Sequence, residues 1–110
     1  MNRKIRVVRG SGNVFADLGY PPAEAEMLLA KSALISYITD TIRHRKYSLA
    51  QAARKCRTSQ RTLSNVQRGR MMSVTLDDLL SWLVALGRTV EIHIKPYSAK
   101  AKTGQLRTVG

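Results

Sequence analysis

The chain has 110 residues, 44% of them hydrophobic and 24% charged, and its 19 Lys and Arg against 7 Asp and Glu give a formal charge of +12. That length supports one small domain with a modest core, and that charge points to a polyanionic partner, either nucleic acid or an anionic membrane surface. One cysteine, Cys56, excludes an internal disulfide framework, no apolar run approaches the roughly 20 residues of a membrane span, and the basic start MNRKIRVVRGSGN lacks the apolar stretch of a signal peptide, so a cytoplasmic location is expected.

Residues 1–13 carry Arg3, Lys4, Arg6 and Arg9 and read as a flexible basic arm, with a short strand at Ile5–Val8 as the alternative. Turn formers Gly12, Asn13, Gly19, Pro21 and Pro22 follow. Pro22 suits the first position of a helix, and Glu24 and Glu26 suit the positive end of its dipole. Met27, Leu28, Leu34, Ile35, Ile38 and Ile42 recur at helical spacing, which carries this helix to about Arg45 and leaves Tyr47 in the break.

Ser48 with Gln51 forms a capping-box pattern and opens a short helix ending near Lys55 or Cys56. Ser59 caps the next helix, which stops at Gly69. RGRMMSV reads as a loop, with Met71 and Met72 as filler first and a soft protein-contact patch second. Thr75 caps a fourth helix with Asp77 and Asp78 in its first turn and Gly87 past its end. Its apolar arc of Leu76, Leu79, Leu80, Leu83, Val84 and Leu86, with Trp82 at the margin, is wide enough for burial on two sides. TVEIHIK alternates Val90, Ile92 and Ile94 with Glu91, His93 and Lys95, the period of a strand. A lone strand has unpaired edges, so a twofold copy of itself is the economical mate. Residues 96–110 read as a flexible basic tail.

The segment SLAQAARKCRTSQRTLSNVQRGR, residues 48–70, combines six Lys and Arg with regularly spaced Ala52, Ala53, Leu63 and Val66. Two short helices joined by a tight turn, the second with a polar front, describe a helix-turn-helix. Ala53 falls where the two helices approach, and Cys56, Leu63 and Val66 form the seam behind them. Gln60, Arg61, Ser64, Asn65 and Arg68 are left outward, side-chain types that meet base edges or phosphates. Nine Lys and Arg, Arg43, Arg45 and Lys46 added to those six, lie between Thr41 and Leu76 with no acid among them. A solvated basic face is the bland reading of such a run; the segregation from acids favours a DNA-binding face.

These residues resemble the xenobiotic-response-element (phage Cro and repressor-like) helix-turn-helix family. SGNVFADLGYPPAEAEMLLAKSAL and SVTLDDLLSWLVALGRTVEIHIKP, residues 11–34 and 73–96, look like the lead-in and the closing helix and strand of its host-inhibition-of-growth type antitoxins. The elements read above make an all-α bundle of about four helices over residues 14–95 with a short C-terminal strand, expected to pair across a dimer, and the resemblance implies a helical DNA-binding homodimer. It further implies binding to double-stranded DNA, repression of its own operon and neutralisation of a messenger-RNA-cleaving toxin. Ser59 and Gln60 match the head of the family's recognition helix, Arg61, Thr62, Ser64 and Asn65 its exposed positions, and Gly69 and Arg70 the glycine and basic residue beyond it. Three positions depart: Leu49 stands where the family has a phosphate-touching Gln, and Arg57 and Thr58 replace the turn's Gly and aliphatic residue. The expected base-reading residues are Gln60, Arg61, Ser64 and Asn65, and the expected phosphate-binding residues are Arg57, Ser59, Arg68 and Arg70, with Arg54 and Lys55 beside them. A free-standing regulator without a toxin and a protein-binding adaptor are the alternatives.

Cys56 reads as a small buried hydrophobe. His44 and His93 have no Cys, Asp or Glu at metal-ligand spacing. Asp40, His44 and Ser64 make a triad only on paper, without a nucleophile elbow or oxyanion loop. No metal, no cofactor and no enzymatic activity are expected.

Overall fold

The computed structural model of the chain describes residues 12–109. The basic arm and the alternative strand at 5–8 lie outside the described residues, apart from Gly12 and Asn13 at the arm's end. Five α-helices follow in order: α1 (Val14–Asp17), α2 (Pro22–His44), α3 (Leu49–Cys56), α4 (Gln60–Gln67) and α5 (Leu76–Ala85), with a 3-10 turn at Met71–Ser73. The sequence had suggested about four. The extra one is the single turn α1, hidden among glycines and prolines but nucleated by Asn13, whose side chain accepts from the Phe15 and Ala16 amides at 2.9 and 3.3 Å.

Local chemistry sets the other helix starts as expected. Pro22 stands in the first turn of α2, Ser48 and Gln51 form a reciprocal box at α3, Ser59 caps α4, and Thr75 and Asp78 form a second box at α5. Such caps contribute about 1 kcal/mol each by satisfying first-turn amides.

The five helix ends share one geometry. In each, an amide two (α3) or three (the others) residues past the helix end reaches five back and the amide before it reaches three back, the longer bonds being Tyr20 to Phe15, Tyr47 to Ile42, Thr58 to Ala53, Arg70 to Asn65 and Arg88 to Leu83, at 2.9–3.1 Å. This double closure needs a left-handed residue. Gly19, Gly69 and Gly87 supply it after α1, α4 and α5, whereas Lys46 (φ 57°) and Arg57 (φ 56°) supply it on either side of α3. The departure from glycine at Arg57 therefore leaves the turn's shape intact and stores strain of about 1–2 kcal/mol.

The core joins α2, α3, α4 and α5. Ile38, Leu63, Leu79, Leu86 and Val66 are its largest fully buried side chains. Trp82, expected at the margin of α5, is 5% exposed and lies in the core, while Val84, expected on the packed arc, is 60% exposed. Met27, assigned by periodicity to the packed face of α2, is likewise exposed. The strand expected at 90–95 is not formed in the single chain: among the described residues there is no β-strand. The physical reason is the one that made a mate necessary, since no second strand of this chain stands beside it. Val90 packs partly on the core, and Ile92 and Ile94 are exposed.

Candidate nucleic-acid interface

α3 and α4 are joined by Arg57, Thr58 and Ser59. Their backs are apolar: Ala52, Ala53 and Cys56 of α3 share the core with Leu63 and Val66 of α4. Ala53 is 3% exposed, so a larger side chain there would push the two helices apart. With a residue every 100° around the axis, the buried pair Leu63 and Val66 fixes which side of α4 faces out. Arg61 and Arg68 stand opposite that pair, flanked by Ser64 and Asn65, with Gln60 at the head of the helix. All four expected base-reading residues therefore occur on one solvent-facing side, with Ser64 and Asn65 half-buried and Gln60 and Arg61 exposed.

The side chains divide into spent and unspent groups. Ser48 and Gln51 bond each other's backbone amides at 3.1 and 2.8 Å. Ser59 Oγ accepts the Thr62 amide at 3.0 Å and donates to Thr62 Oγ1 at 2.9 Å, so its hydroxyl proton is committed to the cap. Among the described residues, no side-chain hydrogen bond engages Gln60, Arg61, Ser64, Asn65 or Arg68, and the ion pairs Arg43–Asp40 (3.1 Å) and His93–Glu91 (3.2 Å) leave the six cations of 54–70 untouched. Arg54, Lys55, Arg57, Arg61, Arg68 and Arg70 are all exposed. Unneutralised cations beside uncommitted amide and hydroxyl groups are the equipment for a backbone of phosphates with base edges between them.

Three features of this surface were not singled out in the sequence. Arg45 donates to the Leu86 carbonyl at 3.0 Å and lies 5.3 Å over the Tyr47 ring, and Lys55 lies 5.4 Å over the same ring. Tyr47 thus fixes two cations beside the start of α3, a role hinted at only by an aromatic residue set within a basic run. Lys46 is exposed and left-handed, the counterpart of Arg57 at the other end of α3. Lys31 donates to the carbonyls of Met71 and Val74 at 3.4 and 2.8 Å and so ties the segment after α4 to α2.

Cys56 Sγ lies 4.0 Å from the Trp82 carbonyl, and burial pushes its thiol up to about 11 from 9.0. It is protonated at neutral pH and packed, which fits filler and not a nucleophile. Among the described residues no group of three or more His, Cys, Asp and Glu comes together, and no helix is long and apolar enough to cross a membrane.

A family model described as a helix-turn-helix domain matches residues 14–95, a span containing all five helices. A solved structure described as an XRE family transcriptional regulator is similar with a TM-score of 0.71 at 23% sequence identity, over 79% of this chain and 98% of that one. At that identity the likeness is one of fold. No curated protein matches the chain.

Proposed function

The chain belongs to the helix-turn-helix domain family, and from that premise we propose that it is a transcriptional regulator of the xenobiotic-response-element, Cro and repressor-like, kind that binds double-stranded DNA by sequence. The observation that carries this reading is the outward side of α4, where Gln60, Arg61, Ser64, Asn65 and Arg68 are uncommitted while Leu63 and Val66 hold the helix against the core. In this reading α4 enters the major groove and α3 lies across the backbone. Gln60, Arg61, Ser64 and Asn65 read bases. Arg57, Arg68 and Arg70 hold phosphates with Arg54, Lys55 and Lys46, and Ser59 contributes by fixing the first turn of α4 at the DNA.

The reading includes a homodimer. Ile92 and Ile94 are 73% and 91% exposed and alternate with polar residues, and Val84 is exposed on α5 nearby in sequence. A second copy's 90–95 segment pairs with this one across a twofold axis, burying the isoleucines and placing two α4 helices on half-sites about 34–36 Å apart. The narrower reading, an antitoxin that represses its own operon and neutralises a messenger-RNA-cleaving toxin, is supported by the resemblance of residues 11–34 and 73–96 to that subfamily. A short basic reading frame beside the gene, whose product co-purifies with this chain, is its test.

Selection from a random duplex pool tests the main reading. Enrichment of paired half-sites one helical turn apart is the expected result; a pool that binds without enriching any sequence would reduce the protein to a charge-driven DNA binder, and no binding at low salt would favour the protein adaptor.

A further inference from the structure

The C-terminal tail is held to the body at Leu106. From Glu91 to Gln105 every residue is exposed, whereas Leu106 and Thr108 are half-buried and Arg107 between them is exposed, the alternation of an extended segment lying on a surface. That surface is the side of α2 bearing Leu29, Ala30, Ser32, Ala33 and Ser36, which together with Leu106, Arg107 and Thr108 encloses a shallow groove. Its small floor residues let the tail approach closely. The Leu106 amide donates to Glu26 Oε1 at 2.8 Å, and Glu26 Oε2 accepts from Asn13 Nδ2 at 3.3 Å. One carboxylate thus fastens both the entry to α1 and the C-terminal segment. A bond from an amide to an ionised acceptor is among the stronger kinds.

The groove's position matters. Lys31, which holds the segment after the recognition helix, stands about 160° around α2 from Leu29 and Ala33. The tail is therefore docked on the side of α2 turned away from that segment. The chain leading into and along it carries Lys95, Lys100, Lys102 and Arg107, and no acid follows Glu91.

We propose that the outer groove of α2 is a docking site for this chain's own segment Leu106–Thr108, and that docking parks those four cations away from the DNA-binding face. The docking rests on geometry; its consequence rests on the DNA-binding reading above. Undocked, the tail is a basic extension able to reach phosphates, so the Glu26–Leu106 contact limits how many phosphates the protein neutralises. Non-specific attraction is held down as a result, because that attraction scales with phosphates contacted.

The test uses the full chain, its Leu106→Ser variant, which removes the apolar anchor without changing charge, and Glu26→Ala. Amide exchange by NMR reads docking directly: the Leu106 amide should exchange about tenfold or more slowly in the wild type, independently of protein concentration, and as an open amide in both variants. Salt-dependent binding to a mixed-sequence duplex reads the consequence: each variant should steepen the log–log salt slope by about 2–4, at roughly 0.9 per phosphate. An unprotected Leu106 amide in the wild type overturns the docking, and protection that rises with protein concentration overturns it in favour of a second copy's tail. Protection with unchanged slopes overturns the parking role, and protection with no duplex binding by any of the three proteins overturns that role together with the DNA-binding reading.

Discussion

Lys31 Nζ donates to the carbonyl of Val74 at 2.8 Å, across 43 residues of sequence, and to that of Met71 at 3.4 Å. The half-buried ammonium bonds two carbonyls in the connection between α4 and α5, where a single 3-10 turn makes few backbone hydrogen bonds of its own. Lys31→Met keeps the stem and removes both bonds. It is expected to lower unfolding free energy by about 1–3 kcal/mol in denaturant titration and to speed amide exchange over residues 71–74. An unchanged midpoint would mean water replaces the ammonium without cost.

Arg57 and Lys46 hold backbone geometry that glycine holds more cheaply. Arg57→Gly and Lys46→Gly are each expected to stabilise the fold by about 1 kcal/mol while weakening duplex binding, most strongly at low salt. Opposite signs in the two assays would show strain retained for contact with phosphate. Gains in both would make the cations incidental.

These two residues also show how far the sequence could be read. Starts and stops of α2 to α5 were legible because caps act within three or four residues: Ser48 with Gln51, Thr75 with Asp78, Gly69 and Gly87. The outward set on α4 was legible for the same reason, since Leu63 and Val66 fix its orientation. What escaped depends on distant partners. Lys31 finds Val74, Arg45 finds Leu86, and Glu26 finds Leu106 across 40 to 80 residues; no local pattern announces them. Trp82 was misplaced because periodicity gives a face and not the neighbour that covers it. The alternation at 90–95 was read correctly as a pattern, yet a strand is a property of two segments.

The buried thiol gives a pH signature. Folding raises the Cys56 pKa from 9.0 to about 11, so the folded state holds its proton where the unfolded state has lost it. Between those values the unfolded state binds fewer protons, and stability falls as pH rises. Below pH 9 this group contributes no slope. Cys56→Ala should flatten the alkaline decline seen in urea titrations, and alkylation of wild-type Cys56 at pH 8 should proceed only through opening of the core.

Ile92 and Ile94 offer the test of the dimer. Replacing both with Lys places two cations where a twofold mate would bring two more. A shift to monomer in sedimentation and a loss of affinity for paired half-sites are expected, with the melting temperature of the helical body little changed. A dimer that persists would move the interface elsewhere on the surface, with the exposed Val84 on α5 as the next place to mutate.

Arg61 stands at the centre of the outward face of α4. Arg61→Ala is expected to cost about 1–3 kcal/mol on the preferred duplex and to relax preference at one base pair. An equal loss on every sequence would reassign it to phosphate.

Fluorescence anisotropy reads sequence-specific recognition of duplex DNA by α4 without intermediaries. A labelled duplex from the region upstream of the chain's own gene would be compared with a scrambled duplex of equal length, at low and at near-physiological salt. Binding to the native duplex should persist at the higher salt while the scrambled duplex is released. Equal binding to both that collapses together as salt rises would contradict it, leaving charge without readout.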